Sequence, residues 1–190
     1  MNVSRLPYPD PKNVPPAVQA LLDARPPRNI FRMMAHAPAL MPGIMELTGA
    51  VLYRAKLDPV LRELVILRVG HLCGSGYEVA QHRKISQAIG LPQEKIDGTA
   101  RDVESRIYSE KEQLVLRMTE QVVRKVKADD ALFAEAAAAL GNELMMELLI
   151  VIGLYVMLAR VLENAEVALE EGGGPSQQDV QKIFSGQAKK

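Results

Sequence analysis

Arg62-Glu63-Leu64-Val65-Ile66-Leu67-Arg68-Val69-Gly70, followed by Cys73-Gly74-Ser75-Gly76-Tyr77-Glu78-Val79-Ala80-Gln81-His82, is the stretch on which the fold turns. Asp58-Pro59 just upstream is a helix start. The carboxylate can accept from free first-turn amides, and proline is tolerated there because its missing N–H had no partner to lose. The helix so opened is predicted to run to about Cys73. Its apolar residues Leu61, Leu64, Val65, Leu67, Val69 and Leu72 lie on more than one face, so protein is expected on both sides of it. Gly74-Ser75-Gly76 interrupts it. A second helix is predicted from about Tyr77 to Ile89, with Ser75 as its N-cap and Gly90 as its left-handed C-terminal residue.

Upstream, the prolines at 7, 9, 11, 15 and 16 make residues 1–16 an extended arm suited to lying on a neighbouring surface. A short helix follows over Pro16 to Asp23, another opens at Asn29, and a third has helical spacing at Ile44, Leu47, Val51 and Leu52. Downstream, Pro92 begins a short segment. Ser109-Glu110-Lys111-Glu112 is a capping box announcing a helix to about Lys127. Asp129 or Asp130 caps an alanine-rich helix ended by Gly141, and Asn142 opens a long one to about Glu170, stopped by Gly172-Gly173-Gly174-Pro175. No strand-like alternation appears, so the class is all-α. Three parts are expected: a proline-rich arm and short helix over 1–27, a helical domain over 28–171, and a polar tail over 172–190.

The chain has 23 basic and 23 acidic residues and a formal net charge of zero. This argues against nucleic acid and anionic membranes as partners, since both demand a positive field. No secretory signal pattern opens the chain, and the apolar run Leu148 to Ala159 falls short of the roughly 20 residues of a bilayer span. Cys73 is the only cysteine, which removes any intramolecular disulfide, dithiol pair or cysteine zinc cluster and fits the cytoplasm.

Glu78 and His82 stand four residues apart on one predicted helix, hence on one face, where a carboxylate and an imidazole can share a proton. With Glu63 on the preceding helix, these residues form a candidate acid–base set. The wider arrangement resembles the carboxymuconolactone decarboxylase and alkylhydroperoxidase D superfamily, whose pattern is a glutamate on one helix and Cys-x-x-Cys-x-x-x-His opening the next. Glu63 matches the glutamate and His82 the histidine, while the two cysteine positions fall on Ser75 and Glu78. Asn29-Ile30-Phe31-Arg32 with Pro38, and Gly153-Leu154-Tyr155-Val156-Met157-Leu158-Ala159-Arg160-Val161-Leu162, resemble the family's lead-in and closing helix. The resemblance thus covers about residues 28–169.

It implies a helical bundle forming trimers or hexamers, with the site near subunit interfaces. It also implies a cofactor-free enzyme that decarboxylates or isomerises a small lactone or keto acid. Glu63, His82 and Glu78 are the expected catalytic residues. Ser75, Tyr77, Arg68 and Arg160 are the expected substrate contacts, the arginines because guanidinium grips a carboxylate in two places. No metal is expected, although Glu63, Glu78 and His82 could be weighed as three ligands. Rival readings stay open: a peroxidase using Cys73 alone, a non-enzymatic ligand-binding oligomer, and Glu63 as a structural acid paired with Arg68 or Arg160.

Overall fold

The computed structural model describes residues 4–101 and 103–171, and every regular element among them is helical. A short 3-10 turn at Pro11–Asn13 precedes eight α-helices: α1 Pro16–Asp23, α2 Asn29–Met34, α3 Met41–Tyr53, α4 Pro59–Cys73, α5 Gly76–Ala88, α6 Gln93–Gly98, α7 Glu110–Lys125 and α8 Asp130–Ala165. The expected start signals do their work. The Asp58 carboxylate accepts from Val60 and Leu61 at the head of α4, and Ser109 and Glu112 form the reciprocal capping box of α7.

α4 is the centre of the bundle and packs against α5, α7 and α8. Every residue from Leu61 to Gly70 is buried. One side of α4 puts Leu61, Val65, Ile66 and Val69 into the main core with Met118, Leu148, Ile152 and Tyr155. The other puts Leu64 and Leu67 into a second core with Ile96, Val103, Tyr108 and Leu116. Apolar residues on several faces therefore mark a helix sheathed in protein.

α8 is two helical stretches that meet at a non-helical Gly141 (φ 75°, ψ 165°), where the sequence places the boundary between two helices. Its end departs from the sequence expectation, at Ala165 rather than near Glu170. Glu166 takes a left-handed conformation (φ 50°), and the Val167 amide closes the end on the Leu162 carbonyl at 3.0 Å. Val167 is buried in the main core. Burying that valine outweighs the modest propensity of Val167-Ala168-Leu169-Glu170 to continue the helix. The apolar run in α8 also belongs to a helix long and apolar enough to cross a bilayer by length and composition. Here Leu148, Val151, Ile152, Tyr155 and Leu158 serve as core.

The N-terminal arm, so far as described, lies on its own bundle. The Arg5 amide donates to the Ala165 carbonyl, His36 Nε2 meets the Pro7 carbonyl at 2.7 Å, and the Arg32 guanidinium stacks 4.3 Å from the Tyr8 ring centroid. The expected tail over 172–190 lies outside the described residues.

Candidate active site

α4 and α5 form an antiparallel pair joined by Gly74, which caps α4 at φ 68°, a conformation natural to glycine. The pair closes tightly at Gly70, where an added Cβ would lie 3.0 Å from Cγ2 of Val79. This register brings Glu63 opposite His82. Oε2 of Glu63 lies 2.7 Å from Nδ1 of His82. Because a carboxylate only accepts, Nδ1 donates in this contact, and Nε2 is the ring nitrogen left out of it. Arg62, itself buried, places Nε 3.4 Å from Oε1 of Glu63 and Nη1 3.2 Å from the Leu52 carbonyl. Tyr155 of α8 meets the His82 ring edge-on, with centroids 5.0 Å apart and planes at 88°. The imidazole is thus fixed from two helices.

His82 forms part of the wall of a cavity of about 190 Å³. Its apolar lining includes Ile30, Met34, Met45, Leu52 and Leu158, and its polar lining includes Tyr77, Glu78, Gln81, Tyr53 and Tyr155. Arg25 and Arg28 supply its cations. Glu78 is 3 % exposed and neither of its carboxylate oxygens has a hydrogen-bond partner among the described residues. Burial, reinforced by the charge of Glu163, pushes its carboxyl up to about 8. It is therefore a carboxylic acid at neutral pH. Burial likewise raises the Tyr155 phenol, with Glu63 and Glu78 adding to the shift.

The residues singled out in the sequence separate into two groups. His82, Glu78 and Tyr77 line the cavity, and Glu63 stands directly behind His82. The sharing of a proton between Glu78 and His82 does not occur: Glu78 is unpartnered, and the imidazole is taken by Glu63 from the neighbouring helix. Ser75 occupies the N-cap position of α5 without a capping hydrogen bond, and its buried hydroxyl has no partner among the described residues and no place in the cavity wall.

Arg68 and Arg160 do not fit the substrate-binding role expected of them. Arg68 points to the far side of α4, where it donates to the Thr99 carbonyl at 2.7 Å and pairs with Glu120. Arg160 is exposed on α8 and donates to its own helix at Val156. Neither lines the cavity. The charged partner of Glu63 is correspondingly Arg62, rather than Arg68 or Arg160. Cys73 is also absent from the wall, and burial raises its thiol pKa, which disfavours the thiolate. Among the described residues no group of three or more His, Cys, Asp or Glu side chains is placed to hold a metal ion.

Residues 38–121, which carry Glu63, Glu78 and His82, match the model of the carboxymuconolactone decarboxylase family. That segment of the chain is similar to the carboxymuconolactone decarboxylase family. No curated protein matches the chain in sequence. Among the solved structures that share its fold are two proteins named for AhpD. An uncharacterized peroxidase-related protein from Ralstonia eutropha, named for an alkylhydroperoxidase AhpD core, superposes with a TM-score of 0.75 at 17 % identity, covering 98 % of each chain. A protein of unknown function from Agrobacterium tumefaciens, a candidate AhpD antioxidant defence protein by name, gives a TM-score of 0.68 at 22 % identity, covering 73 % of this chain and 95 % of its own.

Several cavity residues had no sequence signal of their own. Arg25 precedes Pro26-Pro27 and reads as the end of a short helix. Gln81 and Tyr53 are common surface residues by type. Arg62 is adjacent to Glu63, a spacing that does not place two helical side chains face to face. Glu170, expected inside a helix, instead accepts from Tyr77 and Gln81.

Proposed function

We propose that the chain is a cofactor-free acid–base enzyme that decarboxylates or isomerises a small lactone or keto acid. The observation that carries this reading is the buried Glu63–His82 hydrogen bond beside a largely apolar cavity whose wall also holds the unpartnered acid Glu78. His82 has a lone pair on Nε2, Glu63 stabilises the imidazolium that forms when it takes a proton, and Glu78 holds a proton to give.

In an isomerisation, Nε2 of His82 removes a proton α to the carbonyl of an unsaturated substrate, the electron pair moves into a conjugated dienolate, and Glu78 protonates the far carbon of that dienolate, which shifts the double bond. In a decarboxylation, the bond to the carboxylate carbon breaks, its electrons remain on the substrate as an enolate, carbon dioxide leaves, and the Glu78 proton goes to carbon. Arg25 and Arg28 supply positive charge for the substrate carboxylate and the developing enolate. The apolar lining raises the worth of each of these charges.

The peroxidase reading is weaker for this chain, whatever the names of its structural neighbours. A peroxidase needs a thiolate and a resolving thiol, whereas Cys73 stands alone with its pKa raised and outside the cavity. A soluble protein of the cytoplasm and a homo-oligomer, trimer or hexamer, go with the enzymatic reading. Exposed Met146, Ile150, Met157 and Val161 form one apolar row along α8 that a second copy would cover.

The test is to screen the purified protein against lactone acids and keto acids for carbon dioxide release and for shifted double bonds. Turnover is expected in the native chain and lost in His82→Ala. Turnover surviving unchanged in His82→Ala would reject the assignment, as would peroxide consumption that disappears in Cys73→Ser.

A further inference from the structure

After α8 the chain turns back at Glu166 and carries residues 167–170 across to the start of α2 and the first turns of α5. Asn29 Nδ2 donates to the Ala168 carbonyl at 2.9 Å. The carboxylate of Glu170 then accepts from three donors at once: the Tyr77 hydroxyl at 2.5 Å, Nε2 of Gln81 at 2.5 Å and the Asn29 main-chain N–H at 2.6 Å. Tyr77 and Gln81 are both more than nine-tenths buried, and both also line the cavity.

A buried cluster of N–H and O–H donors has a demand of its own, because donors left unpaired away from water are costly. An ionised carboxylate, which only accepts and offers several lone pairs, answers it. Tyr77 and Gln81 precede Glu78 and His82 by one residue each. They sit about 100° around α5 and one residue's rise away, so a carboxylate bound to the first pair lays its carbon skeleton against the second. Arg28, in the same wall, adds positive charge.

We propose that the Tyr77 hydroxyl, the Gln81 amide and the Asn29 main-chain N–H form the recognition site for the carboxylate of a small organic acid, and that Glu170 fills it as an internal stand-in. This rests on the acid–base reading for the identity of the cavity as the substrate site. A ligand carboxylate has to displace Glu170, so the strap formed by residues 167–170 scales apparent affinity down to the fraction of time the donors are free of it. Gln81 and Tyr77 thereby become specificity determinants that favour acids over their neutral analogues.

Calorimetric titration of the full chain with benzoate and with benzamide tests this without any need for turnover. Glu170→Ala is expected to bind benzoate at least about tenfold more tightly than the native chain, with benzamide affinity unchanged. Glu170→Ala combined with Gln81→Leu is expected to lose that gain. Should Glu170→Ala melt early, Glu170→Gln keeps the side chain's shape and removes its charge, and is expected to tighten benzoate by about threefold. Equal benzoate affinity in the native and Glu170-substituted chains overturns the proposal, as does equal tightening toward benzamide. His82→Ala in the Glu170→Ala background separates the two readings: benzoate binding is retained there even if no lactone or keto acid is ever turned over.

Discussion

His82 Nδ1 lies 2.7 Å from Oε2 of Glu63, a carboxylate with no exposed surface, nineteen positions earlier in the chain and on the facing helix. The contact fixes the imidazole tautomer and leaves Nε2 for the cavity. Glu63→Gln keeps the shape but removes the charge that stabilises the imidazolium. We expect kcat to fall by roughly 10²–10⁴-fold, and the double variant with His82→Ala to be no worse than His82→Ala alone, because the two act as one unit. Steady-state kinetics of the three variants check this.

The position of Glu78 predicts a pH dependence. Its carboxyl rises from the ordinary 4.5 to about 8 in the folded chain, so the folded state holds a proton that the unfolded state has released. Between these two values stability falls as pH rises, at a slope of at most about 1.4 kcal/mol per pH unit, and levels off above the upper one. Glu78→Gln removes this slope in denaturant titrations at several pH values. If Glu78 gives the proton, the alkaline loss of activity near pH 8 is also its own; the same variant then has little activity at any pH.

Gly70 sets the distance between the two helices that carry the site. Gly70→Ala pushes a methyl carbon to within 3.0 Å of Val79 Cγ2, so α4 and α5 must part or Val79 must shift. Overpacking of this kind costs about 1–3 kcal/mol. Thermal melts should show the loss, and activity should drop further than stability does because the Glu63–His82 contact lies on the same seam.

The apolar row on α8 predicts the behaviour in solution. Ile150→Asp with Met157→Asp places charge on two exposed positions, so the fold of one protomer should be spared while an oligomer held by this face dissociates. Light scattering after size-exclusion chromatography should give a trimer or hexamer for the native chain and a smaller species for the variant. A native monomer would refute the oligomer.

Much of the bundle could be read in the chain itself because its signals are local. Asp58-Pro59, Ser109 with Glu112, and Asp129 satisfy free amides within a turn of themselves, so their meaning needs no distant partner. The many-sided apolar content of α4 required cover on both sides, and two cores provide it. Glu63 and His82 were found by resemblance to a motif. The expected meeting of the two is present, whereas Glu78, at helical spacing from His82, stays unpartnered.

Sequence alone determined the all-helical class, the helix starts and the loss of the cysteine pair, each of them a matter of residue type and short spacing. The tertiary structure alone decided which cations face the cavity, that Arg68 and Arg160 turn away from it, that Glu78 stays unpaired and protonated, and that Glu170 returns to Tyr77 and Gln81. These depend on the crossing of helices distant in sequence and on how far burial strips water from a charge, quantities that no local pattern encodes.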